Sequence, residues 1–273
     1  MTKLPEQLEP MRVTPGKPAR LADRDPRDTL GLDGKGVASD LLEQLSDDLD
    51  GLHGRLWAEA SRSVLLVLQG MDASGKDGTI RRVLSGLNPQ GCQVAGFKSP
   101  SDGELAHDYL WRVHQVCPGR GHLGVFNRSH YEDVVAARLF GAVSHEQCRR
   151  RYPHLRDFER MLVDEGTTVV KVFLHLSKDE QRERLQARLD DPTKGWKFRL
   201  ADLDVRKQWD EYHEAYEEVL TETSTDHAPW YVVPADRKWV RDVAVSSLLV
   251  ETLRDLDPKI PDPEPGLRGI RVE

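Results

Sequence analysis

Residues 64–79 read VLLVLQGMDASGKDGT. An aliphatic run from Val64 to Leu68 is followed by Gly70, four residues, Gly75 and Lys76. Apolar strand, G-x4-G-K and then a helical segment is the context that a phosphate-binding loop requires. The glycines let several backbone N–H groups turn towards one anion, the next helix adds its positive end, and Lys76 reaches the phosphates as a point charge. Gly70, Ser74, Gly75, Lys76 and Gly78 are therefore candidate phosphate-binding residues. Two acids depart from the usual pattern. Asp77 stands where such loops carry a metal-binding Ser or Thr, and it is expected to be solvated or to cap the first helical turn. Asp72 lies inside the loop. A carboxylate beside phosphates is repelled unless a divalent cation sits between them, so Asp72 implies Mg2+. It can also orient or deprotonate an attacking phosphate oxygen.

Outward from this stretch the chain alternates strand and helix patterns. Strands are expected near 64–69, 92–97, 123–127, 168–174 and 230–234. Helices are expected near 76–86, 102–115, 130–140, 146–164, 178–190, 202–222 and 238–255. Buried apolar strands separated by helices predict an α/β, P-loop kinase-like three-layer fold, a parallel sheet flanked by helices and carrying a mobile lid. Ligands of such sheets bind outside the carboxyl ends of the strands. Ahead of the first strand, Leu42, Leu45, Leu49, Leu52 and Leu56 recur at spacings of 3 and 4, an amphipathic helix with Ser39 as its N-cap. The expected division is an N-terminal arm at 1–38 free to wrap a neighbour, a P-loop domain at 39–256 with its lid near 190–200, and a Pro-rich tail at 257–273.

The 273 residues suffice for a sizeable core. No run approaches a membrane span, and the N-terminus lacks the apolar core of a secretory signal. Cys92, Cys117 and Cys148 are isolated, which points to a reducing compartment and a cytoplasmic protein. Net charge is −7, but residues 201–273 carry 9 basic and 17 acidic side chains, leaving +1 on the first 200. A polyanionic ligand is thus compatible with the acidic balance. No nucleic-acid or membrane partner is expected. His107, His114, His122 and His130 show no zinc-ligand spacing.

The strand in LGVFNRSHYED (123–133) ends in polar groups where a P-loop fold places its second set of phosphate or metal ligands. Asn127 can offer an oxygen to a metal, Arg128 can clamp phosphate oxygens, and Ser129 reads as a helix cap. After the strand TTVVKVFLHL, Arg184 and Arg188 lie four apart on one helix, with Lys194, Trp196 and Lys197 in a Pro- and Gly-punctuated segment. A mobile basic segment beside a phosphate loop is how kinase lids bring positive charge over a transferring phosphoryl. Spacing alone does not separate that role from a solvated helix face with i,i+4 pairs.

Together GMDASGKDG, FNRSHYED, DDPTKGWKF and STDHAPWYVVPADRKW resemble the polyphosphate kinase type 2 family, over about residues 35–256. The resemblance implies a Mg2+-dependent, reversible transfer of a terminal phosphoryl between inorganic polyphosphate and a nucleotide, with Mn2+ able to substitute. It assigns Asp72 to metal binding and nucleophile positioning, and Lys76 and Arg128 to phosphates. Arg184 and Arg188 match arginines preceding the lid, and Lys194 and Lys197 fall in it. Many members carry Asp where this chain has Asn127. Asn127 followed by Glu132 resembles the third class, whose members phosphorylate both AMP and ADP, so these two residues are nucleotide-site candidates. Asp72 and Asn127 are the metal candidates. Family members assemble as dimers or tetramers, and a homo-oligomer is expected. The alternatives are a conventional ATP-dependent nucleoside or nucleotide kinase and a non-catalytic binder of nucleotide or polyphosphate.

Overall fold

The computed structural model describes residues 8–267 and 270–272. Five parallel strands form one sheet: β1 Ser63–Gln69, β2 Cys92–Gly96, β3 Leu123–Asn127, β4 Thr167–His175 and β5 Trp230–Pro234, in the order β2-β3-β1-β4-β5. Alternate side chains of β1 serve opposite faces, as the pleat requires: Leu65 and Val67 join one apolar cluster, and Val64, Leu66 and Leu68 the other. Three layers result. Helices α1 (Lys35–Glu59), α2 (Lys76–Val83) and α7 (Lys238–Leu256) cover one face, while α3 (His145–Asp164) and α6 (Trp209–Thr223) cover the other. Helices α4 (Lys178–Asp190) and α5 (Leu200–Lys207) flank the segment at 190–200. From neighbouring β1 and β3 the chain continues in opposite directions across the sheet, to β2 and to β4, which opens a crevice at their carboxyl ends.

Several expectations change at helix ends. Helix α1 begins at Lys35 behind Gly34, whose φ of +107° ends the preceding turn, so Ser39 lies inside the helix and is not its N-cap. Its Leu42, Leu45, Leu49 and Leu56 are all buried, each contributing about 1.5–3 kcal/mol. The helix expected at 102–115 is two single turns, Asp102–Leu105 and Trp111–His114, because the Asp108 carboxylate accepts from the Leu110 N–H and competes with the helical pattern. The one expected at 130–140 is a 3-10 turn, His130–Asp133, followed by Ala136–Leu139. The one at 202–222 breaks at Gln208, after which Trp209 turns into the core.

The residues ahead of α1 embrace their own domain. Val13 N–H donates to Trp230 O at 2.8 Å, and the Glu217 carboxylate accepts from Arg20 N–H (2.6 Å) and Leu21 N–H (2.7 Å). Met11, Val13, Ala19 and Leu21 are buried there against the same chain. No described helix is long and apolar enough to cross a membrane.

Candidate active site

The loop between β1 and α2 is shaped by residues with positive φ: Gly70 (+147°), Ala73 (+65°) and Gly75 (+105°). At Gly70 a Cβ would stand 2.8 Å from Leu174 O, so only glycine fits against β4. Lys76 opens α2 and is 8% exposed. Its ammonium donates to Gly70 O (2.7 Å) and Met71 O (3.3 Å), which leaves its third hydrogen for an anion. Burial, and Arg128 next to it, push the Lys76 pKa down to about 8 against the opposing pull of Asp72, Glu132 and Asp77. Ser74 Oγ is buried and without a partner among the described residues.

The end of β3 meets this loop. Arg128 has φ +63°, a left-handed conformation that non-glycine residues adopt at a cost, and its N–H still pairs with Leu68 O at 3.0 Å. The turn aims its guanidinium across the crevice: Nη2 donates to Asp72 Oδ1 (2.8 Å) and Nη1 reaches Glu132 Oε2 (3.4 Å). Burial works against the Arg128 charge, but Glu132 and Asp72 outweigh it and raise its pKa. Burial raises the Glu132 pKa, with Arg128 and Lys76 opposing. Asp72, Lys76, Arg128 and Glu132 thus form one electrostatic unit, although the chain separates them by up to sixty residues.

Asp77 is exposed in the first turn of α2, as expected for a solvated residue there, and in addition accepts from Asn127 Nδ2 at 2.7 Å. This contact explains an amide at position 127. An aspartate there would face the Asp77 carboxylate, whereas Asn127 donates to it and keeps its own oxygen available.

Behind the loop the structure corrects the expectation for Arg184. Its Nη1 donates to Ala73 O and Ser74 O (both 3.1 Å), its Nη2 to Ala235 O (2.7 Å) and Asp236 O (2.9 Å), and its Nε to Glu180 (2.7 Å). With its N–H groups committed to carbonyls and Glu180, Arg184 braces the loop from below instead of facing phosphate. Gln181 Nε2 joins it, donating to Asp72 O at 3.0 Å. Arg241, on α7, was not anticipated. It is 3% exposed, bound to Asp242, and packs under Gly75 and Gly78. Gly78, in helical conformation, leaves room for it: a Cβ would lie 3.4 Å from Arg241 Nη2. A single arginine in an α7 helix turn carries no sequence signal for this role.

Arg188, half-buried one turn beyond Arg184, stays outside these contacts. Lys194 pairs with Asp191, and Lys197 lies 5.1 Å from the Trp196 ring centroid, so neither lid lysine is brought to the loop. Trp196 is 77% exposed, its indole N–H tied to Thr193 O.

Among the described residues no three His, Cys, Asp or Glu side chains gather into a metal cage. The donor set nevertheless fits a hard divalent cation: carboxylate oxygens of Asp72 and the amide oxygen of Asn127, beside a glycine-rich strand-to-helix loop. Mg2+ is usually held by one or two carboxylates plus substrate phosphates, not by an all-protein cage.

A family model described as Polyphosphate kinase 2 (PPK2) matches residues 35–261. The chain belongs to the polyphosphate kinase 2 family. It is accordingly a phosphotransferase that works with polyphosphate. An AMP/ADP-polyphosphate phosphotransferase of Meiothermus ruber is 52% identical over 97% of this chain and 100% of its own. An ADP-polyphosphate phosphotransferase of Rhodopseudomonas palustris is 46% identical, covering 84% of this chain and 83% of its own. The crystal structure of polyphosphate kinase 2 from Arthrobacter aurescens TC1 superposes with a TM-score of 0.91 at 42% identity, over 94% of this chain and 92% of that one.

For a polyphosphate kinase 2 the lowered Lys76 pKa has a measurable consequence. Were the charged amine the group that holds phosphate, kcat/KM for polyphosphate would fall as pH rises through about 8, the free-enzyme value. The corresponding limb of kcat lies at higher pH, because bound phosphate favours the charged form. Lys76→Arg, permanently charged, should flatten the limb at a reduced rate. A limb that survives Lys76→Arg would assign the titration to another group.

Proposed function

We propose that the chain transfers the terminal phosphoryl of inorganic polyphosphate to AMP and to ADP, giving ADP and ATP, reversibly and with Mg2+, for which Mn2+ can substitute. The observation that carries this reading is Arg128, held by a strained turn between Asp72 and Glu132 at the mouth of the phosphate loop. The similarity over its full length to a relative named for both AMP and ADP supports the acceptor range.

In this reading Lys76 and Arg128 hold and neutralise the phosphates of donor and acceptor, and Asp72 directs the attacking phosphate oxygen in line with the donor. Asp72 and Asn127 would hold the cation, which would supply charge neutralisation for the transfer. Asp77 fixes the Asn127 amide, and Arg184, Gln181 and Arg241 keep the loop in shape. Arg188, Lys194 and Lys197 bring positive charge to the polyphosphate as the segment at 190–200 closes. The protein acts in the cytoplasm as a homo-oligomer, for which sedimentation as a monomer at micromolar concentration would be the contrary result.

The test is a transfer assay with Mg2+ and long-chain polyphosphate as the only donor, offering AMP, ADP and GDP separately and resolving products by chromatography. ATP formed from AMP by way of ADP is expected. ADP accepted with AMP refused would restrict the reading to diphosphates. Product formed only when ATP replaces polyphosphate would return the case to a conventional kinase.

A further inference from the structure

Behind the site lies a buried ionic cluster that the chemistry above does not use. Lys171 stands in the middle of β4, opposite Val67 of β1 and Trp230 of β5, and Glu159 in α3; both are fully buried. Lys171 Nζ donates to Glu159 Oε2 (2.6 Å), Tyr131 Oη (3.0 Å) and Thr223 O (2.7 Å), which accounts for all three ammonium hydrogens. Tyr131 Oη in turn donates to Glu159 Oε1 (2.7 Å), and His130 Nε2 lies 3.2 Å from the same oxygen. Burial pushes the Glu159 carboxyl up, but Lys171 and His130 outweigh it and keep it below its ordinary range.

Two consecutive residues of the turn after β3 therefore close on one carboxylate. Arg128 lies two positions before His130, and Glu132 follows Tyr131. A left-handed arginine persists only where its surroundings over-determine it. On one side Arg128 is pinned by the sheet through Leu68 O, and between them Ser129 Oγ accepts from Gln69 Nε2 (3.0 Å) and Tyr131 N–H (3.2 Å). The other side is anchored by the Glu159 cluster and its apolar packing at His130 and Tyr131, and beyond Glu132 by Asp133, whose carboxylate accepts from Arg112 Nη2 (3.0 Å) and whose carbonyl accepts from Arg151 Nη1 (2.7 Å). A buried ion pair is weak evidence for stability, since well-packed apolar residues do as well in a core. They would not hold a hydroxyl and an imidazole in register.

We propose that the Glu159–Lys171 pair, bridged by Tyr131, is a positioning device that holds the turn carrying Arg128 and Glu132 in its working geometry. The inference rests on the reading of Arg128 and Glu132 as site residues. None of Glu159, Lys171 or Tyr131 touches the reacting phosphates; they act through Arg128.

The test compares thermal stability with the kcat–KM split in three variants. Glu159→Leu/Lys171→Met replaces the pair with apolar groups of similar bulk. It is expected to keep Tm close to wild type while kcat falls roughly 10- to 100-fold, the penalty for a misplacement of about 1 Å. Tyr131→Phe, which removes only the bridging hydroxyl, is expected to fold normally and lose kcat on the order of tenfold. Added to Arg128→Lys, Tyr131→Phe should cost little more, because both act through one group. Wild-type kcat in a folded double variant, or in Tyr131→Phe should the double variant not fold, would overturn the proposal, as would full additivity with Arg128→Lys. Failure of the underlying reading is distinct: the wild-type protein would then transfer nothing from polyphosphate, or Arg128→Lys would keep full activity.

Discussion

Asp72→Asn is expected to lower phosphoryl transfer by about three orders of magnitude, in the middle of the range for a positioned acid–base group, while polyphosphate still binds. The substitution isolates charge from shape. An asparagine at 72 can still accept from Arg128, whose guanidinium also keeps Glu132, so the turn after β3 stays in place. Lys76 and the loop amides, the phosphate holders in the function proposed above, are untouched. What disappears, in that proposal, is the carboxylate that would face the cation and direct the attacking oxygen. Single-turnover rates with Mg2+, set beside polyphosphate binding by calorimetry, separate the two effects. Loss of binding in proportion to loss of rate would make Asp72 a structural residue of the loop and remove it from the chemistry.

Gly75→Ala should be nearly as damaging by a different route. Gly75 caps α2 with φ +105°, and a Cβ built there would stand 1.8 Å from Arg241 Nη1. The left-handed backbone alone costs about 1–2 kcal/mol. The arginine cannot simply withdraw, because it is buried and bound to Asp242 through Nε and Nη2. The loop must therefore open at the point where, in the proposed function, its amides would face phosphate. A loss of kcat/KM on the order of a hundredfold is expected, consistent with a displacement of about 1 Å at a reacting centre. Gly75→Ala/Arg241→Ala relieves the collision but not the backbone strain, so it should recover part of the melting temperature and little of the rate. Wild-type kinetics in Gly75→Ala would show that the loop tolerates other shapes.

How far the site was legible follows from which contacts are local. The strands were read to within about a residue, because the apolar runs of the inner strands, buried on both faces of a parallel sheet, stand out against polar helical segments, while β2 lies half-exposed at the edge. Asp72 and Lys76 were legible as a spacing inside one loop, and Arg128 as a polar residue at the end of a neighbouring strand. The helix breaks at Asp108 and Gln208 were not, since each depends on a side chain competing with the backbone or on a tryptophan finding the core. Arg184 shows the limit: its spacing from Arg188 placed both on one helix but not against a partner. Lys171 left a signal that went unused, a lone lysine within an otherwise apolar strand.

By itself the sequence determined the layered α/β fold, the phosphate loop with its embedded acid, and the kinase chemistry that these imply. Those features rest on backbone periodicity and on residues a few positions apart, where geometry follows from local conformation. Tertiary structure alone decided that Asp77 holds Asn127, that Arg184 and Arg241 brace the loop, and that Glu159 and Lys171 stand behind Arg128. Each of these is a contact across 50 or more residues, or between the interiors of separate elements. Which side chains meet there is set by how helices pack on the sheet, and no spacing along the chain records it.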